Sequence, residues 1–137
     1  MKMNRMLLFA GIVAAFTAAI HLFAGTREIH APLLASALAQ PIRLLLYACW
    51  HLVSVILALS AAALLWSAMP GNRAAAGALP AFVSLVWLLF GLVFLIVAVV
   101  FAGLPAIRML PQWTLLLPVG ILAWIGARKS GVPSEHA

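Results

Sequence analysis

The sequence predicts an all-α integral membrane protein: a bundle of four membrane-spanning helices in which consecutive helices are antiparallel neighbours. Of 137 residues, 67% are hydrophobic and 7% are charged, whereas soluble domains carry about 25% charged residues. The apolar residues fall into four runs near the roughly 20 residues that a bilayer-spanning helix needs. The later connections between runs are short, which favours antiparallel neighbours. We therefore expect one transmembrane domain covering residues 1–128.

The first span is expected at about residues 6–24. Lys2 and Arg5 precede it, as basic residues precede the apolar core of a secretory signal peptide. The apolar run continues to Phe23 without an A-x-A cleavage motif. This favours an uncleaved first helix, with cleavage as the open alternative.

The first connection, residues 25–40, is the longest. Its second half, residues 32–40, predicts a short helix that is too short to cross the bilayer. We expect it to lie at the outer interface or to be re-entrant. The second span follows at about residues 44–69, and the turn-forming run Pro-Gly-Asn-Arg at 70–73 ends it.

The third span is expected at about residues 79–104 and the fourth at about residues 112–127. Pro118 lies inside the fourth span and predicts a kink, because proline removes one backbone donor. The polar residues 129–137 are expected to form a disordered C-terminal tail.

Basic residues at the ends of the spans set the expected orientation, because cytoplasmic loops are enriched in Lys and Arg. An N-terminus in the cytoplasm places five such residues inside and three outside. The inner ones are Lys2, Arg5, Arg73, Arg128 and Lys129, and the outer ones are Arg27, Arg43 and Arg108. We therefore expect the protein in a bacterial inner membrane, with both termini in the cytoplasm. The scattered basic residues form no dense patch, which argues against a nucleic-acid partner.

Polar residues cluster around the first connection. On the second span, Arg43, Tyr47, His51 and Ser54 share one stripe, which we expect to face the bundle interior rather than lipid. His21 lies near the outer end of the first span, at a depth where it could approach His51.

Two kinds of cofactor site are compatible with this cluster. Haem could be ligated axially by His21 and His51, with Tyr47 on the same stripe and Arg43 or Arg27 near the propionates.

Alternatively, the connection could fold over the bundle and complete a set of His21, Glu28, His30 and His51. Three histidines and a carboxylate suit zinc, copper or iron. The competing interpretation is that Arg43, Tyr47 and His51 form a structural polar seam between helices. No metal-binding motif such as H-E-x-x-H and no cysteine pair supports a metal site.

No catalytic residues are predicted, and an enzyme is not favoured. No carboxylate lies within a span, which argues against a carboxylate proton relay. The leading hypothesis is a non-enzymatic accessory or assembly component of a membrane complex. The alternatives are a haem- or metal-binding redox protein and a small transporter acting as a homo-oligomer. The expected partners are the lipid bilayer and either another membrane protein or further copies of the chain.

Overall fold

The computed structural model describes residues 2–130, and the predicted all-α class is confirmed. Of the described residues, 85% are helical, and no strand occurs among them. The helices are α1 (Arg5–Gly25), α2 (Ala31–Leu34), α3 (Gln40–Ala68), α4 (Arg73–Ala76), α5 (Leu79–Ala102) and α6 (Trp113–Ser130). A π-helical segment, Thr26–His30, precedes α2, and a 3-10 segment, Leu104–Arg108, precedes α6. The predicted tail falls outside the described residues from position 131 onward.

Three helices in the described part of the chain are long and apolar enough to cross a membrane. They are Arg5–Leu34, Gln40–Ala68 and Leu79–Ala102. The fourth predicted span is also helical, but α6 is only 18 residues long and carries Arg128 and Lys129 in its last turn. A fourth span therefore stays a prediction.

The helix of the first connection continues α1 through the π-helical segment, giving an unbroken helical run of 30 residues. The Ala31 N–H bonds to the Thr26 carbonyl, five residues back. Pro32 follows directly and has no N–H to donate. The wider π turn accommodates this proline, and the chain then turns at residues 35–39 before α3 begins.

Glycines allow α1 and α3 to pack closely. A Cβ on Gly11 would lie 2.8 Å from Leu65 Cγ, and one on Gly25 would overlap the Trp50 ring at Cη2. The first pair joins the start of α1 to the end of α3, and the second joins the end of α1 to the middle of α3. The two helices therefore run in opposite directions.

The same kind of contact joins α5 and α6. A Cβ added at Gly91 would lie 2.6 Å from the Leu117 side chain, and one added at Gly120 would lie 2.7 Å from the Leu88 side chain. The Ser84 hydroxyl donates a 2.7 Å hydrogen bond to the Gly120 carbonyl. These crossed pairs show that α5 and α6 also run in opposite directions.

Asn4 joins three helices at one end of the molecule. Its side-chain oxygen accepts hydrogen bonds from the backbone N–H groups of Met6 and Leu7 and caps α1. Its side-chain nitrogen donates to the Gly126 carbonyl of α6 at 2.9 Å. Its backbone N–H donates to the Ala68 carbonyl of α3 at 3.0 Å. We call this the Asn4 end.

The hydrophobic core extends from the Asn4 end toward the middle of the helices. Its largest fully buried side chain is Trp87, and Leu7, Leu64 and Val119 are also fully buried. The other end, where the segments 26–39 and 103–112 connect the helices, has no fully buried large side chain among the described residues. We call it the connection end, and it holds most of the polar residues that the sequence singled out.

Candidate functional site

Five aromatic and histidine rings meet at the connection end. They are His21 of α1, His30 of the π-helical segment, and Tyr47, Trp50 and His51 of α3. We call this group the ring cluster. The 30-residue run from Arg5 to Leu34 carries His21 and His30 to the side of α3 on which Tyr47 and Trp50 lie.

His21 is held by a stacked ring and a hydrogen bond between helices. Its ring centroid lies 3.9 Å from that of Trp50, with an angle of 18° between the ring planes. Its Nε2 lies 3.3 Å from the Trp50 carbonyl oxygen, which also accepts a bond from the Ser54 hydroxyl. A carbonyl can only accept, so Nε2 carries the hydrogen and Nδ1 of the neutral ring is left as an acceptor.

His30 is stacked but not hydrogen-bonded through Nε2. Its ring stacks on Tyr47 at 4.7 Å and is nearly parallel to Trp50 at 6.1 Å. His30 Nε2 is buried without a hydrogen-bond partner in the described structure. Since most buried polar atoms have a partner, this atom needs an explanation.

His51 lies at the outer edge of the ring cluster. It makes edge contacts with His30 at 5.9 Å and with Tyr47 at 4.6 Å between ring centroids. The residue as a whole is exposed, whereas Arg43 and Tyr47 are half-buried and Ser54 is buried. The stripe that was expected to face the interior therefore turns outward at His51.

The structure thus brings the three predicted histidines into one cluster but does not assemble the four-residue metal set. Within residues 2–130, no group of three or more His, Cys, Asp or Glu side chains is placed to hold a metal ion. No ring contact in that range joins His21 to His51, the proposed axial haem ligands. Glu28 is exposed outside the ring cluster.

Arg43 makes a hydrogen bond to the turn that precedes α3. Its guanidinium Nη1 donates to the Ser36 carbonyl oxygen at 3.3 Å. This bond ties the turn at residues 35–39 to the first turns of α3. The predicted contact of Arg43 with a haem propionate stays a prediction.

A cleft of about 500 Å³ lies beside the ring cluster, among α1, α3, α5 and the start of α6. Its wall is mostly apolar and includes Trp50, Phe90 and Phe94. Five polar residues also line it: Thr17, His21, Glu28, Gln112 and Thr114.

Sequence reasoning missed two members of this region. Trp50 was not among the residues selected from the sequence, although its position next to His51 and four residues before Ser54 places it on the polar side of α3. Gln112 was treated only as the start of the fourth span. A glutamine directly after Pro111 at a helix start gives no pattern that would have identified a cleft.

Comparisons with protein families, with curated proteins and with solved structures found no match for this chain.

Proposed function

We propose that the protein is a non-enzymatic component of a membrane protein complex and that it binds its partner through the exposed face of α3. The observation that carries this proposal is the exposure of His51 within a membrane-spanning helix. Ionisable residues in such helices almost always face a bundle interior, a water-filled cavity or another polar group. An outward-facing histidine is explained if a partner covers it.

The depth of His51 strengthens this argument. With 29 residues, α3 is about 43 Å long. The bilayer hydrocarbon core is about 30 Å thick. If α3 is centred in it, His51 lies about 5 Å from the midplane and about 10 Å below the surface of the hydrocarbon. Histidine is too short to reach the headgroups from there.

The surface around His51 suits a helix. Together with His51, five exposed residues along this side of α3 are spaced alternately by four and three positions, as in a packed helix pair. They are Leu44, Ala48, Val55, Ala58 and Ala62. The three alanines would let a partner backbone approach closely, and His51 would hydrogen-bond across the contact. We call Leu44, Ala48, His51, Val55, Ala58 and Ala62 the α3 face.

The same proposal includes four antiparallel spans in a bacterial inner membrane, with both termini cytoplasmic. The Asn4 end supports this, because it gathers the start of α1 and the ends of α3 and α6. Five basic residues lie near these helix ends or in the following turn, as expected for a cytoplasmic surface.

The first connection would then lie at the outer interface. Its exposed apolar side chains, Ile29, Leu34 and Leu38, suit the boundary between headgroups and acyl chains.

Photocrosslinking in native membranes tests the partner. A benzophenone amino acid replaces Val55 on the α3 face or, as the matched control, Val93 on α5; both valines are 55% exposed. We expect one discrete adduct from position 55 that is absent from position 93 and is lost when His51 is replaced by Leu. Equal labelling from both positions, or no adduct from position 55, would overturn the proposal. An adduct between two copies of the chain would favour the homo-oligomeric transporter instead.

One observation favours a haem or metal protein as the second candidate. His30 Nε2 is buried without a partner, and its ring lies 5.9 Å from that of His51. Detergent-purified protein should then show a Soret band or stoichiometric metal, lost in His51→Ala. A spectrum without a Soret band, together with elemental analysis showing no metal, would exclude this candidate.

A further inference from the structure

The cleft at the connection end presents an apolar wall with an unusual set of polar groups. Its volume of about 500 Å³ falls within the range of small-molecule sites. Ile20, Ala24 and Thr114 line it and are exposed, so a molecule dissolved in the bilayer can reach it. This surface is separate from the α3 face and does not depend on the proposed partner.

Several polar groups of the cleft have a free hydrogen-bond acceptor. Gln112 Oε1 is buried and has no hydrogen-bond partner in the described structure. The hydroxyl hydrogens of Thr17 and Thr114 are already donated to the carbonyls of Val13 and Pro111, which leaves only oxygen lone pairs.

Two further groups have the same character. His21 donates through Nε2 to the Trp50 carbonyl, so its Nδ1 can only accept in the neutral ring. The carboxylate of Glu28, the acidic residue at the rim, accepts only. A molecule that completes these bonds must donate hydrogen and must also fit an apolar, partly aromatic wall.

We propose that the cleft binds a hydrophobic alcohol or phenol, with its apolar body against Trp50, Phe90 and Phe94 and its hydroxyl hydrogen donated to Gln112 Oε1. The hydroxyl supplies the donor that the buried amide oxygen lacks. An ether has no hydroxyl hydrogen to donate, so it leaves that oxygen unpaired. Leaving a buried acceptor unpaired costs more free energy than a typical hydrogen bond contributes. The hydroxyl compound should therefore bind about tenfold more tightly than its methyl ether, which corresponds to ~1.4 kcal/mol.

The test uses 4-hexylphenol and its methyl ether as competitors of a diazirine-bearing alkylphenol, with the full-length protein in lipid nanodiscs. Mass spectrometry maps the labelled residues. We expect labelling in the cleft, on segments that contain Phe94 or Leu115, with the phenol competing about tenfold better than the ether. Equal competition by the two compounds would overturn the proposal and would indicate occupancy by any apolar chain. Labelling confined to exposed α5 positions such as Val93 would also overturn it.

Two variants test the named acceptor. In Gln112→Met the side chain keeps its length but loses the oxygen, so the preference for phenol over ether should disappear while the ether binds as before. Gln40→Met is the matched control, because Gln40 is exposed at the start of α3 and should keep the tenfold preference. Should Gln112→Met fail to fold, Ala24→Leu narrows the cleft from its exposed side and should reduce labelling by both compounds. Unchanged labelling in Ala24→Leu, or a phenol preference that survives in folded Gln112→Met, would refute the assignment.

Discussion

Replacing Asn4 by Ala should destabilise the protein more than replacing Asn72 by Ala. Asn4 lies one residue before α1 and is only 5% exposed. It caps α1 through its side-chain oxygen and bonds to α6 through its side-chain nitrogen. The Ala68 contact uses the Asn4 backbone N–H, so it is retained in the variant.

The expected loss follows from the two side-chain functions. Removing an N-cap costs about 1 kcal/mol. Removing a hydrogen bond between membrane helices costs about 0.6–1 kcal/mol. Asn4→Ala should therefore lower the free energy of unfolding by about 2 kcal/mol. Asn4→Ser keeps a capping oxygen but is too short to reach Gly126, so its loss should be about 1 kcal/mol.

Unfolding by SDS from mild detergent, followed by tryptophan fluorescence and near-ultraviolet circular dichroism, measures these free energies. Asn72→Ala is the control, because Asn72 makes one exposed hydrogen bond, to the Trp66 carbonyl, and its loss should be below about 0.5 kcal/mol. The prediction is wrong if Asn4→Ala lowers the free energy of unfolding no more than Asn72→Ala does. It also fails if the Ala and Ser variants of Asn4 are equally stable, because the capping contribution would then be absent.

Three further predictions concern packing and topology. Gly11→Ala should cost about 1–3 kcal/mol in the same assay, because its new Cβ would lie 3.0 Å from a backbone nitrogen of α3. Gly71→Ala, with nothing within 4 Å, should be neutral, and equal losses would contradict the packing argument. Ser84→Ala should cost about 1 kcal/mol by removing its bond to α6, and an unchanged midpoint would show that the bond contributes nothing. In a cysteine-free background, an impermeant thiol reagent added outside the cell should label a cysteine at Glu28 but not one at Arg73, and the reverse pattern would invert the proposed topology.

Composition and apolar run length were sufficient to predict the helical class and the approximate extent of the long helices. The predicted span at residues 79–104 agrees with α5, Leu79–Ala102, because Pro80 and Gly103 bound an uninterrupted apolar run. The extent of the first helix was harder to predict, since Gly25 and Pro32 both indicated an end of the helix. The backbone remains α-helical at Gly25, and the π turn before Pro32 accommodates this proline. Neither outcome can be predicted from the residue types alone.

The polar cluster was predicted in part. Spacing along α3 placed Arg43, Tyr47 and His51 on one stripe, but it could not show which way that stripe faces. That direction depends on where α1 packs, and α1 is positioned by the fit of Gly11 and Gly25 against α3 side chains. Asn4 was not singled out at all, because its bond to Gly126 spans 122 positions of the chain.

The hydrogen bonds of the polar groups at the connection end distinguish two interpretations. These groups form either a structural seam between helices or a surface that binds a ligand or a partner. A seam that only holds helices together would complete its hydrogen bonds inside the molecule, since unpaired polar atoms in a bilayer cost several kcal/mol. His21 meets this condition through the Trp50 carbonyl. His30 Nε2 and Gln112 Oε1 do not meet it within the described residues, and His51 faces outward. A structural seam therefore leaves His30 Nε2, Gln112 Oε1 and His51 unexplained, whereas a hydroxyl ligand in the cleft and a partner helix on the α3 face would account for Gln112 and His51 separately.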